Sequence, residues 1–316
     1  MPSYQMGTMI KKLRTQKGMS QEALAYPIIS REALSRIESG NVVPHTKTIM
    51  SLFERLGYDP SELMPFFLTT EEADTKRIED ELASLTTLIQ RNKTNIDQAH
   101  SNQIIHAIKQ LEDNKAYMEK PLNQQFVLKE KAFHAFYLED DENAMNLALQ
   151  ALHITIPHFD IAKINEYHLT SVDQSMIVTL ALVHRYAKRY PLAIDILYQL
   201  KANEEKTIVD AYVRAKKMTI TLRNLAHVLC MANRAQELLD VSEEGMKICH
   251  AGKAYLNYRA LAWYKAKALF MLGKTDEYIA LAKKVYHAMD LYDEENNMQY
   301  VRKDVLADTG VDVTNI

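Results

Sequence analysis

Glycine is scarce in this chain and unevenly spread. Only eight glycines and eight prolines occur among 316 residues, well below the average usage of roughly 7% and 5%. Sandwiches, barrels and other turn-rich folds need such residues at every reversal. Their scarcity, with abundant Ala, Leu, Lys, Glu, Gln and Met, predicts a mostly helical protein. Four of the eight glycines (Gly7, Gly18, Gly40 and Gly57) fall in the first 57 residues, and the other four are spread over the remaining 259. The first segment therefore reads as short helices joined by tight turns, and the rest as long helices. At about 100–200 residues per domain, the length suits one large domain or two unequal ones.

Capping signals place the short helices. Thr8 to Lys17 carries Met9, Ile10 and Leu13 on one face and stops at Gly18. Ser20 can cap a second helix, Gln21 to Tyr26, which Pro27 ends. Ser30 can cap a third, Arg31 to Ser39, closed by Gly40. A fourth runs from about Lys47 to Leu56, and Asp59 followed by Pro60 starts a fifth through Leu63 and Met64. Residues 1–67 carry a net +2 and the remainder −5, so the overall −3 averages a slightly basic head with an acidic body. The stretch Thr69–Thr75, TTEEADT, is a polar hinge candidate in which Thr70 can cap a linker helix.

Catalytic and metal-binding patterns are missing. The eleven histidines are scattered, with no H-E-x-x-H pair, and two cysteines, Cys230 and Cys249, make neither a disulfide framework nor a four-ligand zinc site. Phosphate-binding glycine loops and a nucleophile elbow are absent as well. We expect no enzyme and no cofactor. The N-terminus lacks the apolar run of a signal peptide, and no segment approaches a membrane span, so a soluble, cytoplasmic protein is expected.

The N-terminal helices carry a recognisable pattern. The basic IKKLR, the run SQEALA, then SREALSRIESGNVVP and the closing LGYDPSELM resemble the repressor-type helix-turn-helix domain over about residues 5–66. The resemblance implies five helices, with the third in the major groove and the second bridging the backbone. Arg31, Glu32 and Ser35 would then face base edges, since arginine can bond guanine O6 and N7 together. Gln21, Ser30, Arg36 and Lys47, with Lys11 or Lys12, would anchor phosphates. Ser20 and Ser30 cap helices whether or not DNA is present, and a surface lysine is often merely solvated. The resemblance also implies an internal Arg14–Glu38 salt bridge, with Leu24, Ala25, Leu34 and Ile37 in the core. One departure stands out: the turn between helices 2 and 3 is Tyr26-Pro27-Ile28-Ile29, a residue shorter than usual, with a proline and without the usual glycine. A fixed φ there would alter how helix 3 is presented.

From about residue 125 helical pairs recur. Ala132, Ala181, Ala226 and Ala266 each lie seven residues before a turn, at Glu139-Asp140, Lys188-Arg189, Asn233-Arg234 and Gly273-Lys274. The clearest unit, RALAWYKAKALFMLGKTDEYIALAKKVYHAM, resembles a tetratricopeptide repeat, although the separations of 49, 45 and 40 exceed that repeat's standard length. Residues 70–125 are helical but more diverged. The expected fold is all-α: a five-helix head followed by a right-handed tetratricopeptide-like α-solenoid, divided as 1–67, a linker at 68–76, repeats over 77–305, and a tail at 306–316. Such solenoids have a concave wall built from the first helix of each pair. Projecting the register onto that wall gives Thr179, Leu182 and Arg185, then Arg223, Asn224, His227 and Met231, then Trp263, Tyr264 and Lys267. Asn224 can donate to and accept from a peptide backbone, or can simply satisfy a neighbouring helix. Trp263 and Tyr264 point roughly 100° apart, so one of them should be core.

A head of this type joined to such repeats resembles the peptide-responsive regulators of Gram-positive bacteria, the Rgg/PlcR/PrgX type. That resemblance implies a quorum-sensing transcription factor that binds operator DNA as a homodimer and is switched by a short signalling peptide in the repeat groove. It gives Asn224 added weight as a holder of the peptide backbone; Thr179 and Tyr264 stand at the matching places in adjacent repeats. The peptide-contact set expected on these grounds is Thr179, Arg185, Arg223, Asn224, His227, Tyr264 and Lys267. The alternatives are a phage-type repressor whose repeats only oligomerise, or a scaffold whose repeats bind a partner protein.

Overall fold

A computed structural model of the chain describes residues 3–44, 46–57, 70–92, 98–206, 211–291 and 295–314. Among the described residues the regular structure is helical, with no strand. The chain packs as two compact units, Met1–Ser84 and Leu85–Ile316.

The first unit opens with α1 (Ser3–Gln16), α2 (Gln21–Ala25), α3 (Arg31–Glu38) and α4 (Thr46–Arg55). The side chains of Ser20 and Ser30 accept hydrogen bonds from the backbone N–H groups of Ala23 and Ala33, so each serine caps its helix as expected. Gly18, Gly40 and Gly57 have φ of 65°, 77° and 75°, the left-handed conformation that ends helices. Gly7 behaves differently. It lies inside α1, where a Cβ would collide with the carbonyl oxygen of Ile37, so its role is close approach of α1 to α3 rather than a turn. Met6, Ile10, Leu24, Ala25, Leu34, Ile37, Leu52, Phe53 and Leu56 form the core of this unit. The fifth helix expected from Asp59 lies outside the described residues. A long helix, α5 (Thr70–Asn92), runs through the stretch where a hinge was expected.

The second unit continues with α6 (Gln98–Asp113), a short α7 (Lys115–Met118), and then the repeated pairs. These are α8 (Pro121–Tyr137) with α9 (Asp141–Thr155), α10 (Ser171–Tyr186) with α11 (Tyr190–Lys206), and α12 (Ala211–Met231) with α13 (Ala235–Ala251). The last pair is α14 (Tyr258–Met271) with α15 (Thr275–Asp290), and α16 (Glu295–Thr309) packs on α15. The turn within each pair falls where the alanine spacing places it. Glu139, Lys188, Asn233 and Gly273 all have left-handed φ, of 61°, 58°, 57° and 78°. In each turn the next residue's N–H reaches back to the last helical turn: Asp140 to Ala135, Arg189 to His184, Arg234 to Leu229 and Lys274 to Leu269, at 2.8–3.0 Å. This is the Schellman cap repeated four times. Ala132, Ala181, Ala226 and Ala266 are fully buried, small enough to let neighbouring helices close on one another.

The first helices of the pairs lie side by side, α8 against α10, α10 against α12 and α12 against α14, whereas the second helices make little or no contact with one another. Helices on the inside of a curved stack approach more closely, so the first helices form the inner wall. The long spacing of the first repeat has a local cause. Residues 156–170, including a 3-10 turn at Ile161–Glu166, fold onto α11, held by Gln199 and Asn203 side chains bonded to the backbone of Ile161, Ile164 and Tyr167. Buried Asp173 accepts from Gln125, Thr155 and Thr170, which ties α8, α9 and α10 together.

Candidate functional site

In the head, the amphipathic pattern of α3 decides what faces outward. Leu34 and Ile37 are buried, and Arg31, Glu32, Ser35 and Arg36 stand exposed on the opposite side. Positions i, i+1, i+4 and i+5 share one helical face, so these four form a single polar surface. Lys11 and Lys12 are exposed on α1, while Lys47 lies on α4 with its side chain outside the described residues.

The helix is held in place from behind. Arg14 donates from Nε and Nη2 to the two oxygens of Glu38 at 2.6 and 2.9 Å, and from Nη1 to the Met19 carbonyl at 2.8 Å. Such a bidentate pair fixes orientation as well as distance. Burial pushes the Glu38 carboxyl up, but hydrogen bonds from Arg14 and Gln21 outweigh it and leave the group below its ordinary range. Gln21 Nε2 is thus engaged with Glu38 at 2.9 Å, so its outward-facing capacity is smaller than the sequence suggests. In the unusual turn the Tyr26–Pro27 peptide bond is cis, the N–H groups of Ile28 and Ile29 both reach the Ala25 carbonyl, and Arg55 donates to the Tyr26 carbonyl. Ile28 and Ile29 pack on the core, so the short turn is anchored on both sides.

In the second unit the inner wall brings most of the expected groove residues together. Arg185 on α10 lies 2.7 Å through Nη1 from Nδ1 of His227 on α12, and the His227 ring stacks on Tyr264 of α14 at 5.6 Å. Arginine can only donate, so Nδ1 accepts. The Arg185 guanidinium also covers the Tyr186 ring at 4.4 Å. Arg223 sits one turn before His227, half-buried, its ionisation lowered by burial and acted on by Tyr264, Tyr137 and Arg185. Burial also raises the Tyr264 phenol, which therefore stays protonated at neutral pH. Trp263 is buried and Tyr264 only partly so, which resolves that adjacent pair.

Three expected contacts differ from the projection. Thr179 is buried, and its hydroxyl donates to the Ser175 carbonyl of its own helix, so it belongs to the wall's interior. Asn224 is 7% exposed, with Nδ2 bonded to the Ile220 carbonyl. Lys267 is engaged by Asp304 and Asp308 of α16 at 2.8 Å each; burial opposes its charge, and the two carboxylates more than restore it. Those aspartates were not anticipated. Their spacing of four places both on one face of α16, the signal that was available. Among the described residues no group of His, Cys, Asp or Glu gathers where a metal could sit, and no helix is long and apolar enough to cross a membrane.

Comparison with known proteins follows the same division. Residues 10–63 match the Helix-turn-helix family model. No curated protein sequence matches the chain. Among solved structures, Bacillus thuringiensis PlcR in complex with the peptide PapR7 and DNA has a TM-score of 0.65 at 17% identity, covering 94% of this chain and 99% of that one. ComR from S. thermophilus, in complex with DNA and its signalling peptide ComS, has a TM-score of 0.56 at 16% identity, covering 97% and 100%. The SHP pheromone receptor Rgg2 of Streptococcus dysgalactiae has a TM-score of 0.58 at 10% identity, covering 96% and 100%. At these identities the likeness is one of fold: a helix-turn-helix head followed by an α-solenoid of tetratricopeptide-like pairs is the architecture this chain shares with all three.

Proposed function

We propose that the protein is a cytoplasmic, peptide-responsive transcriptional regulator that binds operator DNA as a homodimer. Residues 1–67 are the reader, 68–76 the linker, 77–305 the sensing and dimerising body, and 306–316 the tail. Arg31, Glu32 and Ser35 face base edges, while Ser30, Arg36 and Lys47, with a lesser part for Gln21, hold phosphates. A short peptide lies along the inner wall against Arg185, Arg223, Asn224, His227 and Tyr264, with Lys267 at its far end. Thr179 supports the wall from behind.

The observation that carries this reading is the exposed polar face of α3, capped by Ser30 and braced from behind by the Arg14–Glu38 pair. Such a face has no packing role and matches the requirement of a major-groove helix. The likeness in fold to proteins solved with both DNA and a signalling peptide supports the second half. The peptide would act by favouring one dimer arrangement over another, which requires that it bind the two with different affinity.

A mobility-shift titration with duplex DNA from upstream of the protein's own coding sequence tests the reading. Wild type should bind in a salt-sensitive manner, and Arg31→Ala should weaken specific binding about ten-fold or more, the worth of one bidentate base contact. A protein that never retards that DNA at low salt would defeat the proposal. If DNA binds but synthetic peptides from neighbouring short reading frames change neither affinity nor melting temperature, a repressor with purely oligomerising repeats explains the chain better.

A further inference from the structure

Among the described residues of the second unit, three largely buried lysines come with carboxylates. Lys267 has Asp304 and Asp308, Lys201 has Glu205 and Glu244, and Lys129 has Glu130. Arg223, pointing into the same inner wall, makes no hydrogen bond or ion pair with any described residue. The groups that act on it are the Tyr264 and Tyr137 phenols and the like charge of Arg185, and none is a carboxylate. Arginine keeps its proton even when burial disfavours the charge. The groove thus holds two guanidinium groups that act on each other; Nη1 of Arg185 is committed to His227 and Arg185 also acts on the Asp141 carboxylate, whereas no described carboxylate acts on Arg223. Taking a charge out of water without a counter-ion is costly, and the cost is removed when an anion arrives.

We propose that Arg223 and Arg185 form an anion seat that takes one carboxylate of the bound peptide, either its C-terminus or an Asp or Glu side chain. The inference rests on the peptide-groove reading above and sharpens it by naming the chemistry and direction of the ligand. A carboxylate can accept two parallel bonds from one guanidinium and a third from the other. The opposite end of the wall has the reverse character. There two aspartates meet one lysine, so the α14–α16 end carries net negative charge and suits a neutral or basic residue. The peptide therefore lies with its carboxylate toward α10 and α12.

Three synthetic mixtures of heptapeptides built from uncharged residues test this with the full-length protein. One is acetylated and amidated, one is acetylated with a free C-terminus, and one is acetylated and amidated with a single glutamate. Thermal melting and the fluorescence of the single tryptophan, Trp263, report binding. A mixture carrying a carboxylate should bind at least ten-fold more tightly than the blocked one, and Arg223→Gln should erase that preference. Response to the free C-terminus alone assigns the seat to the terminus, and response to the glutamate mixture alone assigns it to a side chain. Equal binding of all three, or an unchanged preference in Arg223→Gln, overturns the seat and leaves the groove reading standing. Binding of none removes both. Independently, ligand-free Arg223→Gln should melt at or above the wild-type temperature, since it loses an uncompensated charge. A clear fall would mean that the guanidinium is already neutralised in the free protein, and would also overturn the proposal.

Discussion

Glu204 illustrates how much a single buried group can weigh. It is 3% exposed; one oxygen accepts from Thr221 at 3.0 Å, and the other, Oε2, has no partner among the described residues. Burial raises its pKa from the ordinary 4.5 to about 7, with Thr221 and Lys217 only partly offsetting the rise. A carboxyl whose folded pKa is raised stabilises the fold below pH 4.5 and loses that contribution as pH climbs through about 7. Glu204→Gln should therefore leave stability nearly unchanged at pH 4 and increase it by on the order of 3 kcal/mol at pH 8. Urea unfolding at the two pH values checks this, and equal stability changes at both would contradict it. The sequence marks Glu204 only as one more acid near a helix end. Asn224 and Thr179 make the same point, since register puts both on the inner wall and only packing shows both to be buried, each bonded to a carbonyl of its own helix.

At the scale of elements the sequence is far more legible, because helix ends are local chemistry. Ser20, Ser30, Gly18 and Gly40 announce their caps, and the alanine-to-turn spacing fixes four Schellman caps in the body. Three of those four turns put Glu139, Lys188 or Asn233 where glycine would be easier. A left-handed non-glycine residue costs roughly 1–2 kcal/mol, and glycine gives back about 0.5–1 in unfolded-chain entropy. Lys188→Gly should thus stabilise the second unit by about 0.5 kcal/mol, and Gly273→Ala should destabilise it by a similar or larger amount. Chemical denaturation of both variants decides this; a stabilised Gly273→Ala would refute the strain argument. Gly7 was the element-level surprise. It reads as punctuation, yet it serves the contact of α1 with α3, a neighbour distant in sequence.

For the whole molecule, charge and assembly are linked. A head of net +2 offers few phosphate anchors, so useful affinity on the proposed reading needs two heads on one site. Each neutralised phosphate contributes about −0.9 to the slope of log K against log salt. With about four cationic contacts per head, a dimer should show a slope near −7 and a single head one near −4. Titrating DNA affinity between low and physiological salt measures it, and a slope near −4 for the full-length protein would argue against two engaged heads. The sequence by itself determined the helical class, the placement of the caps, the α3 face and the repeat register, because each depends on residues within a turn or two of one another. Tertiary structure alone decided that Gln21 turns back to Glu38, that α16 neutralises Lys267, and that no described carboxylate reaches Arg223. Those outcomes depend on charges brought together from distant helices, where desolvation and pairing compete, and that balance is set by which groups the packing makes neighbours.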